Sequence, residues 1–317
     1  MAVVAHWDDV APRRRERGHL AGSWRDLGTA AGSVTVGLQR IEVDPGRWST
    51  PLHLEGSEEE IFYVLGGSGL SLHWDGESTS AHEIGPGDCV VYLALEVGHT
   101  LRAGPDGLDV LAFGMRSYAD SATYLPRAGV SWLGASWVIS GGEENHPWTR
   151  EAAAGEPEVG EVLERPPAIV NVRDVEPYER LKESVAARWW DLGEAAGSLR
   201  TGLQEAVVEP GKLGNPPHCH SAEEELFVVL EGEGSLRLSR GEDVEEHRLR
   251  PGSVVARPAG TRVAHAFQAA DEPLRMLAYG TREPNDIVYY PRSRKISFRG
   301  VGVIGRIEPL DYWEGEL

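Results

Sequence analysis

The sequence predicts an all-β molecule of two tandem jelly-roll barrels that arose by internal duplication. Shifted by 165 residues, the chain matches itself: Trp24-Arg-Asp-Leu-Gly-Thr-Ala-Ala-Gly-Ser falls on Trp189-Trp-Asp-Leu-Gly-Glu-Ala-Ala-Gly-Ser. Within each copy, short β-branched or aromatic runs are bounded by glycine-rich turns at a spacing of about ten residues, the pattern of a sandwich or barrel. Long helical periodicity is nearly absent.

The match continues through the elements in order. Gly37-Leu-Gln falls on Gly202-Leu-Gln, Pro45-Gly46 on Pro210-Gly211, and Glu58-Glu-Glu-Ile-Phe on Glu223-Glu-Glu-Leu-Phe. With one residue of slippage, His99 meets His265 and Leu111-Ala-Phe-Gly meets Leu277-Ala-Tyr-Gly. A period this long marks a duplicated domain rather than a solenoid. Strands are predicted at Ile61–Leu65, Cys89–Leu93, Leu226–Leu230 and Ser253–Arg257. The expected organisation is an N-terminal barrel over 1–140, a linker over 141–167 rich in Gly, Glu, Pro and Ala, with a short helix at Thr149 to Ala154, and a C-terminal barrel over 168–317. At 317 residues the chain has room for two domains of roughly 150 residues each.

Composition narrows the partners. Fifty acidic against 31 basic residues give a net charge of −19, which repels nucleic acid and anionic membrane surfaces. No apolar run approaches the roughly 18 residues of a membrane span. The small basic cluster Arg13, Arg14, Arg15 and Arg17 is interrupted by Glu16 and reads as a solvated segment. The start lacks a basic region followed by a long apolar stretch, so a cytoplasmic location is expected. Two cysteines, Cys89 and Cys219, are too few for a disulfide framework and are read as free thiols.

The chemistry concentrates in Gly211-Lys-Leu-Gly-Asn-Pro-Pro-His218-Cys-His220-Ser-Ala-Glu-Glu-Glu225. Two histidines one residue apart on a strand point to the same face and can reach one ion. The following turn lets Glu225 begin the next strand beside them, and Gly232 permits a tight turn. His265 is the histidine placed to complete the set from a distant strand.

This arrangement resembles the two motifs of the cupin superfamily. Gly211, His218, His220, Glu225 and Gly232 match the first, and Gly252, Pro258, Gly260 and His265 match the second. The gap between Gly260 and His265 is wider than is common, and the asparagine that often follows the histidine is absent. The resemblance, doubled by the repeat, implies a double-stranded β-helix barrel with a divalent metal on His218, His220, Glu225 and His265. Iron or manganese is favoured, with zinc, nickel or cobalt also compatible with three imidazoles and a carboxylate. Cys219, between two ligands, faces the other way by alternation and reads as packing.

In the first copy the corresponding stretch carries His53, Glu55 and Glu60, with His99 in the place of His265. Glu55 replaces His220, and the Pro-x-Gly is lost. Two readings stay open: a harder, more anionic metal site on His53, Glu55, Glu60 and His99, or a degenerate barrel with Glu55 hydrogen-bonded to His53 or His99. The remaining histidines, His6, His19, His73, His82, His146 and His247, read as surface or packing residues.

The resemblance implies a metal-dependent enzyme acting on a small oxygen-rich metabolite at the C-terminal barrel, with dioxygenase-type oxidoreductase chemistry favoured over a lyase or isomerase. The alternative is a non-catalytic ligand-binding or storage bicupin. Tyr279, Tyr289, Gln204 and Arg257 are candidates for moving protons. A homodimer or larger assembly is expected, since open β edges need covering.

Overall fold

The computed structural model describes residues 4–116, 121–133 and 143–316. Each half of the chain forms a barrel of antiparallel strands. The C-terminal half contributes a seven-stranded sheet in which Ser253–Arg257, Glu225–Glu231, Leu274–Thr281 and Thr201–Val208 are successive neighbours. Its counterpart is a nine-stranded sheet centred on the long strands Glu60–Trp74 and Gly98–Met115. All four predicted strands form, and that at Ile61–Leu65 extends to Trp74.

Strands buried on both faces read as nearly continuous apolar runs, and alternation then divides them between two cores. Ile61 and Tyr63 pack with Leu226, Val228, Leu203 and Tyr279 of the other barrel in one shared core. Phe62 and Val64, one residue along, fill the N-terminal barrel with Trp48, Leu72 and Leu101. Phe227 and Val229 likewise fill the C-terminal barrel with Trp189, Leu236 and Phe267.

The halves also exchange strands. Val4–His6 pairs with Ser253–Arg257 of the C-terminal barrel, and Ile169–Asn171 pairs with Asp88–Tyr92 of the N-terminal one. Two buried carboxylates related by the repeat clamp the contact. Glu59 accepts the backbone N–H groups of Leu199, Arg200 and Thr201 (2.8, 3.2 and 3.0 Å) and both hydroxyls of Ser198 and Thr201. Glu224 accepts those of Val34 and Thr35 (2.8 and 2.5 Å) and the Thr35 hydroxyl.

The segment between the barrels is ordered against the first of them. Gly141 and Gly142, the start of the expected linker, lie outside the described residues. Beyond them a helix runs over Pro147–Ala153, beginning two residues before the expected one, with the His146 side chain accepting the Trp148 N–H at its start. Val162–Leu163 then adds a parallel strand to Thr79–Ile84. Trp148 is buried in the N-terminal core, and Glu151, wholly buried, accepts from Arg127 Nε at 2.7 Å.

Arg13–Arg17, read from sequence as a solvated segment, is exposed except at Arg15 and forms an edge strand on Leu20–Asp26. Both cysteines are buried free thiols. Among the described residues no helix is long and apolar enough to cross a membrane.

Candidate metal centre

The two motifs meet through the backbone. The N–H of His218 donates to the carbonyl of His265 and the reverse (3.2 and 2.8 Å), so the first motif is bridged to the second. Cys219–His220 pairs with Ile287–Tyr290, and Glu225 opens the strand Glu225–Glu231. Gly232 turns that strand at φ +78°, where a Cβ would sit 2.1 Å from the Pro273 carbonyl oxygen.

His218, Glu225 and His265 offer ligand atoms that all lie within 4.8 Å of one another. Glu225 Oε2 is 3.1 Å from His265 Nε2 and 3.4 Å from His220 Nε2. His220 falls in a neighbouring group with Glu223 and Asp286, its Nδ1 2.7 Å from Asp286 Oδ2. Asp286 is anchored in turn by the N–H groups of Ser221, Ala222 and Glu223 (3.1, 2.9 and 3.1 Å). His218 Nδ1 lies 2.8 Å from the Pro216 carbonyl, which can only accept, so Nδ1 carries the proton and Nε2 is left with a lone pair.

Electrostatics suit a cation. Burial alone would raise the Glu225 carboxyl, but the imidazoles of His265, His220 and His218 outweigh it and hold the group well below the usual carboxylate range. Burial and the neighbouring His265 pull His218 down to about 3, and burial also lowers His265. Burial opposes protonation of His220 too, yet Glu225 and Asp286 push it up to about 9. His220 Nε2 and Glu225 Oε2 are sealed from solvent without a hydrogen-bond partner. Leaving such atoms unpartnered is costly, and a divalent ion satisfies both. These residues therefore fit a metal.

Beside Glu225 opens a cavity of about 330 Å³ lined by Glu223, Gln204, Arg282 and Arg299. Burial and the Glu225 charge push Glu223 up to about 8, against the pull of the Arg299 guanidinium with which it is ion-paired. Of the four proton-transfer candidates, Gln204 and Tyr279 line this cavity. Arg257 lies opposite Glu225 in the strand register, with its Nε unpartnered. Tyr289 pairs with Cys219. Tyr279 also packs into the shared core, stacked on Phe113 at 5.0 Å. Asp286, Glu223 and Arg299 went unnoticed from sequence. Glu223 lies in the triplet with Glu225, a signal that was available.

In the N-terminal barrel His53, Glu60 and His99 converge within 4.8 Å. His99 Nε2 lies 3.0 Å from Glu60 Oε2. Glu55 stands apart, with Oε1 3.7 Å from His53 Nε2 and Oε2 accepting from the Thr123 hydroxyl at 2.9 Å. Its expected hydrogen bond to a histidine is therefore replaced by one to Thr123.

The family model described as "Cupin domain" matches residues 204–280. The crystal structure of Lactobacillus farciminis oxalate decarboxylase in a formate complex is similar at TM-score 0.61 and 16% identity, covering 90% of this chain and 88% of that one. Bacillus subtilis oxalate decarboxylase at pH 4.6 is similar at TM-score 0.59 and 16% identity, covering 87% and 75%. No curated protein matches the sequence. Residues 204–280 carry a cupin domain, and the chain as a whole has the two-barrel fold of the oxalate decarboxylases to which it is similar.

Proposed function

We propose that the C-terminal barrel is the chamber of a metal-dependent decarboxylase-type lyase acting on a small oxygen-rich carboxylate. The observation that carries this is the placement of a protonatable carboxyl, Glu223, and a guanidinium, Arg299, in the same cavity as the ligand candidate Glu225. The similar structures are oxalate decarboxylases, which moves the reading from the dioxygenase favoured by sequence to a lyase.

His218, His220, Glu225 and His265 would hold iron or manganese, which supplies Lewis acidity toward substrate oxygens. The chain's own groups do the rest. Arg282 and Arg299 face the anionic substrate, and the cavity limits it to a small molecule. When the carbon–carbon bond breaks and carbon dioxide leaves, the electron pair left on carbon takes the proton from the Glu223 carboxyl, which solvent restores. The same reading includes a cytoplasmic location and a homo-oligomer, because Arg13–Arg17 and Val303–Arg306 end their sheets with one side unpaired. Light scattering tests the latter.

Elemental analysis should find about one iron or manganese per C-terminal site, lost in His218→Ala/His220→Ala. Oxalate, 2-oxo acids and 2-hydroxy acids are then screened for carbon dioxide release beside oxygen consumption. Glu223→Gln should keep the metal and lose about 100-fold in kcat. Equal metal in wild type and double variant, or turnover that consumes oxygen stoichiometrically, overturns the reading.

A further inference from the structure

The N-terminal barrel encloses a separate cavity of about 380 Å³, within the range of small-ligand sites. Its lining carries groups of both charges. The acidic and imidazole groups are His53, Glu55, Glu58 and Glu60; the cations are Arg116, which pairs with Asp26, and Arg15, which lies beside the indoles of Trp24 and Trp148. The guanidinium carbon lies 5.6 and 5.2 Å from those ring centroids, and the two indoles meet edge to face at 5.6 Å.

Arg15 differs from its neighbours on the strand. Arg14 pairs with Asp44 and Glu16, and Arg17 with Glu143. Arg15, turned inward by alternation and half-buried, has no carboxylate partner among the described residues. Burial and the nearby Arg13 both disfavour its charge. In a chain with 50 acidic residues, a half-buried inward-facing guanidinium with no acid beside it is unexpected. Indole faces compensate part of the lost hydration but supply no hydrogen-bond acceptor. An anion is the partner that a guanidinium pairs with best, and the cavity lining also holds aromatic and apolar side chains, Trp24, Phe62, Leu125 and Trp148.

We propose that this cavity binds an organic acid with a ring-bearing apolar body, its carboxylate on Arg15, its body against Trp24 and Trp148, and a polar substituent toward His53 and Glu55. Trp148 comes from the segment joining the barrels, so that segment forms one wall of the site. The inference does not depend on the chemistry of the C-terminal chamber.

The test is calorimetric titration of the full-length protein with 4-hydroxyphenylacetate, its neutral amide, acetate and inorganic phosphate. The carboxylate should bind at least tenfold more tightly than the amide, and Arg15→Gln should abolish that preference while leaving amide binding unchanged. Arg15→Lys should keep part of it. Trp148→Leu should weaken acid and amide alike, and His218→Ala/His220→Ala should bind as wild type, which separates this site from the C-terminal one. Four results overturn the proposal: no binding by wild type at about 10 mM, equal affinity for acid and amide, an unchanged Arg15→Gln variant, or acetate and phosphate binding as well as the ring-bearing acid. Should Arg15→Gln fail to fold, the acid-to-amide ratio in wild type and Arg15→Lys decides alone.

Discussion

Asp286 acts on the metal centre without reaching the ion. By accepting the His220 Nδ1 proton it fixes the tautomer that presents Nε2 to Glu225 and the ion. Asp286→Asn should weaken metal binding by about 10- to 100-fold, read by competition with a chelator, with His218 and His265 still in place. A proton count gives a second check. Burial leaves His218 and His265 neutral at pH 7, whereas His220, raised to about 9, is protonated in the metal-free protein. Metal binding must expel that proton. Affinity should therefore climb about tenfold per pH unit up to about pH 9, and titration in buffers of different ionisation heat should show about one proton released at pH 7. The sign for stability is opposite: protonated His220 stabilises the metal-free fold fully below its ordinary 6.5, and that contribution is lost as pH rises through about 9. His218 and His220 were legible because strand alternation is a local rule. Asp286 was not, since its partner lies 66 residues away and nothing local marks it.

At the scale of elements, the acidic triplets show where local reading stops. Glu58-Glu59-Glu60 and Glu223-Glu224-Glu225 look alike in sequence, but the turn before each strand sends the three side chains to three environments. Glu223 lines the cavity, Glu224 crosses to the other barrel, and Glu225 faces the imidazoles. The strands after the triplets were legible from their apolar runs. The unbroken runs also signal burial on both faces, but not that the covering layer on one side is the other barrel, because that contact joins residues more than 100 positions apart. Arg15 is the same failure in reverse: alternation turned one arginine of an apparent surface run inward, and only the position of Trp148 shows which face that is. The glycine at the end of the Glu225 strand gives a clean test of element geometry. Gly232→Ala must place a Cβ 2.1 Å from the Pro273 carbonyl oxygen at φ +78°. It should cost about 2–3 kcal/mol in denaturant unfolding, more than the roughly 1 kcal/mol of the backbone conformation alone, because the carbonyl must move. A loss below about 0.5 kcal/mol would show that the turn relaxes freely.

For the whole molecule, the duplication has produced two barrels that do not behave as beads on a string. They share a core in which Tyr63, Phe113, Leu226 and Tyr279 are all nearly inaccessible, exchange the strands Val4–His6 and Ile169–Asn171, and seat Glu59 and Glu224 in each other's turns. Tyr63 also donates to Glu205 of the other half at 2.7 Å, and Glu205 accepts from Arg275 at the same distance. Separating the barrels would expose the shared apolar surface and strand both clamp carboxylates beside unsatisfied N–H groups. Unfolding should therefore be a single cooperative transition in calorimetry, with calorimetric and van't Hoff enthalpies in agreement. A fragment of residues 168–317 should be insoluble or molten, since it lacks the strand Val4–His6 and bares Leu203, Leu226 and Leu277. Glu224→Gln keeps the shape but weakens charge-assisted bonds, and should lower the midpoint by several degrees while keeping one transition. Two resolved transitions in wild type, or a folded 168–317 fragment with sharp side-chain NMR signals, would mean that the shared core contributes little and that each barrel holds itself together.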